Sequence, residues 1–207
     1  MKKIAVLGVT GLVGREILKT LERRKFPVLK LIALASPRSA GTKIEYAGEE
    51  ITVQAVDENS FDGVDIALFS AGGSTSKKWA PIATKAGAIV IDNSSAWRMD
   101  TDVPLVIPEI NPDDALNHKK GIIANPNCST IQALMAIWPL HKEASVTYMN
   151  ISTYQSVAGT GISAVRALEE ETANFLQGRK TSDTGVYPHQ IAFNLLPHIG
   201  SFDEEGI

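Results

Sequence analysis

Uninterrupted apolar runs alternate with amphipathic stretches through the first part of this chain. Ile4-Ala5-Val6-Leu7, Leu31-Ile32-Ala33-Leu34-Ala35, Ile66-Ala67-Leu68-Phe69 and Ala88-Ile89-Val90-Ile91 contain no polar residue. Such runs fit strands buried on both faces, as in a parallel sheet. After the first run, Leu12, Val13, Ile17, Leu18 and Leu21 recur at helical spacing, and Arg23-Arg24-Lys25 places positive charge at the C-terminal end. The pattern predicts a hairpin from Lys43 to Val53 turning near Ala47-Gly48, a helix from Thr75 to Ala86, and short strands at Leu105-Val106-Ile107 and Gly121-Ile122-Ile123-Ala124. Strands alternating with helices imply an α/β fold: a Rossmann-like, mostly parallel sheet with helices on both faces.

The pattern changes near Cys128. Ile131, Leu134, Met135 and Trp138 predict a helix behind it. Thr147 to Tyr154 reads as a strand with polar residues mixed in, and Ala164 to Gln177 as a helix stopped by Gly178. Residues 178–207 are loop-rich, with Tyr187-Pro188 and Leu196-Pro197. A first domain is therefore expected over residues 1–127 and a second over 128–207.

Composition narrows the function. The chain has 207 residues, is 44% hydrophobic and 21% charged, and carries a net charge of −3. That is an ordinary globular balance with no support for a nucleic-acid partner. One cysteine excludes a disulfide framework and a cysteine-based metal cluster. The short apolar start runs into Gly8 without a signal-peptide pattern, and no stretch reaches the roughly 20 apolar residues of a membrane span. A cytoplasmic location with no membrane partner is expected.

Four segments carry candidate chemistry. Gly8-Val9-Thr10-Gly11-Leu12-Val13-Gly14 joins the first strand to the first helix. Glycines there permit a tight turn and close approach of a phosphate, which the helix N-terminus attracts. The spacing is G-x-x-G-x-x-G rather than G-x-G-x-x-G, so the strand-turn-helix context carries the reading. The second strand ends in Ala35-Ser36-Pro37-Arg38-Ser39-Ala40-Gly41, without the acidic residue that bonds a ribose 2′-hydroxyl. Arg38, Ser36 and Ser39 offer donors to a 2′-phosphate instead, which favours NADP. Ser70-Ala71-Gly72-Gly73-Ser74 ends another strand, where ligands of open parallel sheets lie. Finally, Cys128 stands in Asn127-Cys128-Ser129-Thr130 where a strand hands over to a helix. Unpaired N–H groups and the helix dipole favour thiolate, the nucleophilic form, at that place. A buried, structural cysteine is the alternative.

These segments occur in order with Asp92-Asn93-Ser94-Ser95-Ala96-Trp97-Arg98-Met99, Asn125-Pro126-Asn127-Cys128-Ser129-Thr130, Ser152-Thr153-Tyr154-Gln155 and Gln190-Ile191-Ala192-Phe193-Asn194. Together they closely resemble the aspartate-semialdehyde dehydrogenase family over essentially the whole chain. The resemblance implies NADP-dependent interconversion of L-4-aspartyl phosphate and L-aspartate 4-semialdehyde plus phosphate. It implies a place in lysine, methionine, threonine and diaminopimelate biosynthesis. It also implies a cysteine nucleophile at Cys128, with Gln155 and Asn127 beside the reacting group and Arg98 as the phosphate-binding residue. Cofactor contacts are implied at Gly8, Thr10, Gly11, Leu12, Val13, Gly14, Ser36, Arg38, Ser39, Ser70, Ala71, Gly72, Gly73, Ser156 and Gly159. A homodimer or homotetramer is implied for the full-length protein, with an α+β catalytic and dimerisation domain of which residues 128–207 are the first part.

The family's general-base histidine and substrate-carboxylate arginine are expected downstream of residue 207. None of His118, His141, His189 and His198 stands in the catalytic histidine motif, so the 207-residue chain alone is expected to be inactive. N-acetyl-glutamyl-phosphate reductase, which also pairs a Rossmann domain with a cysteine nucleophile, is an alternative. A non-catalytic NADP-binding module is another.

Overall fold

The computed structural model describes residues 1–179 and 185–197. The chain forms two compact units, Met1–Thr153 and Tyr154–Ile207. The boundary expected at 127/128 lies inside the first unit, between a strand and the helix that follows it.

The first unit is built on a six-stranded sheet. Its strands are β1 (Lys2–Leu7), β2 (Val28–Ala35), β5 (Gln54–Ala55), β6 (Ile66–Phe69), β7 (Ile89–Asp92) and β8 (Ile122–Ala124). They lie in the order β5-β2-β1-β6-β7-β8 with every pair parallel. Alternate side chains enter two cores. Ala5, Leu7, Leu34, Ala67, Phe69 and Val90 pack on one face with Ala80 and Ala83 of helix α2 (Gly73–Lys85). Ile4, Val6, Leu31, Ala33 and Ala35 pack on the other with Leu18 of helix α1 (Leu12–Arg23). Burial on both faces explains why these strands carry no polar residue. The chain belongs to the Rossmann-like class, with helices on both faces.

The Lys43–Val53 hairpin forms as expected, from β3 (Lys43–Tyr46) and β4 (Glu49–Thr52). Its turn residues Ala47 and Gly48 have φ of 53° and 79°, the sign that two-residue hairpins need. Tyr46 is buried in the α1-side core, and the Ala47 N–H donates to the Glu22 carboxylate of α1. Burial, and then the Glu22 charge, push the Tyr46 hydroxyl above its ordinary pKa.

Two expected strands are absent. Leu105-Val106-Ile107 forms only an isolated parallel bridge, from Leu105 to Ala124. Pro104 and Pro108 flank it and cannot donate to a ladder, and the Ile107 N–H goes to Asn111 Oδ1 at 2.8 Å. Thr147 to Tyr154 has no secondary structure, because no described strand pairs with it. Tyr148 and Ile151 are exposed there.

Helix α3 (Cys128–Ala144) closes the parallel part of the first unit. It is apolar yet contains no buried residue, and Met135 and Leu140 face solvent. In the second unit, α4 (Ile162–Leu176) ends in a Schellman motif: Gly178 adopts φ +65° and the Arg179 N–H reaches the Asn174 carbonyl at 2.9 Å. Glu171 is buried, and its Oε2 accepts from the Ile191 and Ala192 N–H groups at 2.7 and 2.9 Å. No helix among the described residues is long and apolar enough to cross a membrane.

Candidate active site

In a parallel sheet every strand delivers its next loop to the same edge, so the turns after β1, β2, β6, β7 and β8 converge. The order of the strands reverses between β1 and β6, and the glycine turn stands at that switch point. Gly8 has φ +91°, and a Cβ there would meet the Ser70 carbonyl oxygen at 2.3 Å. A Cβ on Gly14 would stand 2.2 Å from the Gly8 oxygen. Only glycine allows strand, turn and helix to approach this closely, and the contact draws Ser70 against Gly8. Gly11 is the N-cap of α1 and makes no side-chain bond to the helix. The first-turn N–H groups at Leu12, Val13 and Gly14 therefore face the edge without intrahelical partners. Thr10 and Leu12 are half-buried, and Val13 is exposed.

The turn after β6 has the same design. Gly72 is the N-cap of α2 with φ +85° and no side-chain bond, followed by Gly73. Two open helix starts flanking a close-packed glycine turn suit the pyrophosphate of a dinucleotide. At the end of β2, Pro37–Ser39 form a single 3-10 turn led by Ser36. Ser36 and Arg38 are exposed, Ser39 is half-buried, and Arg38 has no ion pair among the described residues. The hairpin braces this loop: the Gly41 N–H bonds to the Val53 carbonyl at 2.9 Å and Thr42 Oγ1 to the Ser39 carbonyl at 2.8 Å.

Arg98 is docked on backbone. Its Nε donates to the Asn125 carbonyl at 2.9 Å and an Nη to the Asn93 carbonyl at 3.2 Å. Three of its five N–H groups are left over. Asp100 does not neutralise it, because Asp100 bonds to Lys120 Nζ at 2.6 and 2.8 Å. That bond, and then the Asp102 N–H, hold the Asp100 carboxyl below the usual carboxylate range. Asn125 Nδ2 donates to Asn93 Oδ1 at 2.5 Å, stapling the ends of β7 and β8. Asp92, at the last position of β7, is wholly buried, and its Oδ2 accepts from Ser94 Oγ at 2.5 Å.

Cys128 is exposed at the first position of α3. Asn127 caps the helix: its Oδ1 accepts from the Ser129 N–H at 2.9 Å and Ser129 Oγ at 2.5 Å, and lies 3.8 Å from Cys128 Sγ. Capping fixes Asn127 Oδ1 as an acceptor and leaves Nδ2 as its donor. The structural reading of a buried thiol does not hold for this cysteine.

Gln155, Ser156 and Gly159 belong to the second unit. Gln155 is exposed just before a 3-10 turn, Val157–Thr160, which contains Gly159 and is capped by Ser156 Oγ accepting from the Ala158 N–H at 3.2 Å. His118 is half-buried, His141 stacks on Trp138 with centroids 5.7 Å apart, and His189 is exposed; His198 lies outside the described residues. A cavity of about 330 Å³ lies along the second half of α3, lined by Leu134, Ile137, Trp138, His141, Val146 and Tyr148. It contains none of the catalytic, cofactor or phosphate residues expected from the sequence. Sequence reasoning passed over Ser76, Asp92, Asn93 and Asn125 as site residues, although the polar run directly after a buried strand was a signal.

An open parallel sheet with glycine turns at its switch point defines a Rossmann-like domain, here with an exposed thiol at the same edge. The chain belongs to the semialdehyde dehydrogenase family: residues 3–118 match its NAD binding domain and residues 137–207 its dimerisation domain. It is 54% identical to the aspartate-semialdehyde dehydrogenase of Aquifex aeolicus over 99% of this chain and 61% of that enzyme. The structure of aspartate semialdehyde dehydrogenase II from Vibrio cholerae, complexed with ASA, superposes with a TM-score of 0.95 at 44% identity, over 100% of this chain and 61% of that one. Aspartate semialdehyde dehydrogenase from Candida albicans, solved with NADP, is 28% identical with a TM-score of 0.58, over 70% of this chain and 48% of that one. The chain thus spans about three fifths of the length of the relatives it matches most fully.

Proposed function

We propose that the full-length protein is an NADP-dependent aspartate-semialdehyde dehydrogenase working through a Cys128 thioester. The observation that carries this reading is the bond from Arg98 Nε to the Asn125 carbonyl, which anchors a guanidinium with no ion pair among the described residues to the segment that delivers the exposed thiol. Arg98 offers its remaining N–H groups to the phosphate of an acyl phosphate. The Cys128 thiolate attacks the acyl carbon, the C–O bond to phosphate breaks, and phosphate leaves with the electron pair. The resulting thioester is reduced to a thiohemiacetal, which collapses to aldehyde and regenerated thiolate. The first-turn N–H groups of α3 that Asn127 does not occupy are donors for the oxyanions formed on the way.

The nicotinamide cofactor supplies the hydride when bound. Gly8, Gly11 and Gly14, with Thr10, Leu12 and Val13 between them, would hold its pyrophosphate together with Ser70, Ala71, Gly72 and Gly73. Ser36, Arg38 and Ser39 would take the 2′-phosphate, and Ser156 and Gly159 the nicotinamide end. Gln155 would orient the acyl group. The reading places residues 1–127 as the cofactor domain and 128–207 as the first part of a catalytic and dimerisation domain that pairs two or four copies. It also places the protein in the cytoplasm, supplying lysine, methionine, threonine and diaminopimelate synthesis, and leaves the 207-residue chain inactive by itself.

Phosphate-dependent NADPH formation from aspartate semialdehyde by the full-length protein tests the reading. Arg98→Lys keeps the charge but loses the fork, and is expected to raise the phosphate KM about tenfold or more. Activity with N-acetyl-glutamate semialdehyde but not aspartate semialdehyde would replace the substrate. Dinucleotide binding without turnover of either would leave a binding module.

A further inference from the structure

Trp97, directly before Arg98, makes a contact that the chemistry above does not use. Its Nε1 donates to Ser76 Oγ at 2.9 Å. Ser76 is only 1% exposed and lies in the first turn of α2, where its N–H bonds to the Gly72 carbonyl at 3.0 Å. A buried hydroxyl paired with an indole N–H is a fixed point, since loss of the indole strands the hydroxyl away from water. The same loop meets the turn a second time: a Cβ on Gly73 would stand 3.9 Å from both Ala96 Cβ and Ser95 Oγ. At its near end the loop is held by Asp92 through Ser94 Oγ, which accepts in turn from the Ala96 N–H at 3.1 Å. At its far end Arg98 is bonded to the Asn93 and Asn125 carbonyls. Residues 93–98 are therefore a short strut between the glycine turn before α2 and the guanidinium, with Trp97 as its joint.

We propose that Trp97 is a positioning residue that couples the Gly72-Gly73 turn to Arg98, so that a dinucleotide seated on the turn and a phosphate held by Arg98 bind cooperatively. This rests on the functional reading above, in which the turn takes the dinucleotide and Arg98 the phosphate. A ligand that orders the turn also orders the strut through the Ser76–Trp97 bond. The second ligand then meets an arginine already placed, and the coupling is reciprocal. The sequence around Arg98 shows the arginine but not the joint, because Ser76 and Trp97 are far apart along the chain.

The test is calorimetric titration of the full-length protein with inorganic phosphate, with and without saturating NADP⁺. Wild type, Trp97→Phe, Ser76→Ala and the double variant are compared. NADP⁺ is expected to tighten phosphate binding about fivefold in the wild type, the scale of one hydrogen bond. That factor falls towards one in each single variant, and the double variant is no worse than either single. Trp97→Phe keeps the ring and its packing. A purely structural role would lower the melting temperature of the variants and leave the coupling factor intact, which overturns the proposal. Additive effects of the two substitutions, or a wild type that binds both ligands independently, overturn it as well. A folded wild type that fails to bind NADP⁺ or phosphate overturns the functional reading itself, and the proposal with it.

Discussion

Helices α1 and α3 both begin at the C-terminal edge of the parallel sheet, and they begin differently. Gly11 starts α1 with no side chain to cap it, so the first-turn donors stay open. Asn127 starts α3 and occupies the Ser129 N–H with its own oxygen. An uncapped start is a stabilisation deferred until an anion arrives. A capped start is already stable, and what it offers is a side chain held at its first position, here the Cys128 thiol. On the proposed reading the same fold element serves as a receptor in one place and as a mount in the other.

The contrast can be broken in graded steps. Cys128→Ser removes what α3 presents and leaves the mount standing. Turnover by the full-length protein should fall on the order of 10⁴-fold or more, with dinucleotide affinity retained. Next in size is Gly14→Ala. In an ordinary helix interior this change stabilises, by about 0.5–1 kcal/mol. Here the new methyl would lie 2.2 Å from the Gly8 carbonyl oxygen, so the sign reverses. A loss of about 3 kcal/mol in denaturant unfolding is expected, together with loss of dinucleotide binding. Asn127→Ala strips the cap from α3 and should cost about 1 kcal/mol of stability; if it cost nothing, the contrast between the two starts would be wrong.

The smallest effect lies beside Arg98. The Asp100 carboxyl is held below its ordinary range in the folded chain, first by Lys120 and then by the Asp102 N–H. A depressed folded value means that its contribution is present at neutral pH and is lost as the pH falls through that lowered value. Asp100→Asn should therefore lower the neutral plateau of the stability profile slightly and leave stability at low pH, where Asp100 is already protonated, nearly unchanged, so that the acid limb flattens, as followed by thermal melts across pH.

Much of the fold was legible because the sheet is buried on both faces. That environment forces unbroken apolar runs such as Ile4–Leu7, and β1, β2, β6 and β7 fall on them. The hairpin was legible from its turn, where Ala47 and Gly48 take positive φ. Leu105–Ile107 misled because an apolar run says nothing about ladder partners, and its flanking prolines limit the pairing to one bridge. Thr147–Tyr154 misled for a related reason: β-prone residues mark a segment's fitness for a strand, while a strand needs a neighbour. Single residues of the site were visible when their chemistry is rare, as with Cys128, or when a motif frames them, as with Arg98. The bonds that place them were not, since Asn93–Asn125 and Ser76–Trp97 join positions that only the folded sheet brings together.

The segment from Val146 to Gln155 contains no charged residue, and Tyr148 and Tyr154 are 80% and 82% exposed. The β3–β4 hairpin also has free edges, but Lys43, Glu45, Glu49 and Glu50 guard them. A charge-free, β-prone stretch without a ladder partner among the described residues is a template for recruiting like strands from other molecules. The colloidal behaviour of the 207-residue polypeptide should therefore be set by ten uncharged residues rather than by its net charge of −3. Ile151→Lys should act as a gatekeeper there, lowering light scattering of the concentrated polypeptide without altering the nucleotide-binding sheet.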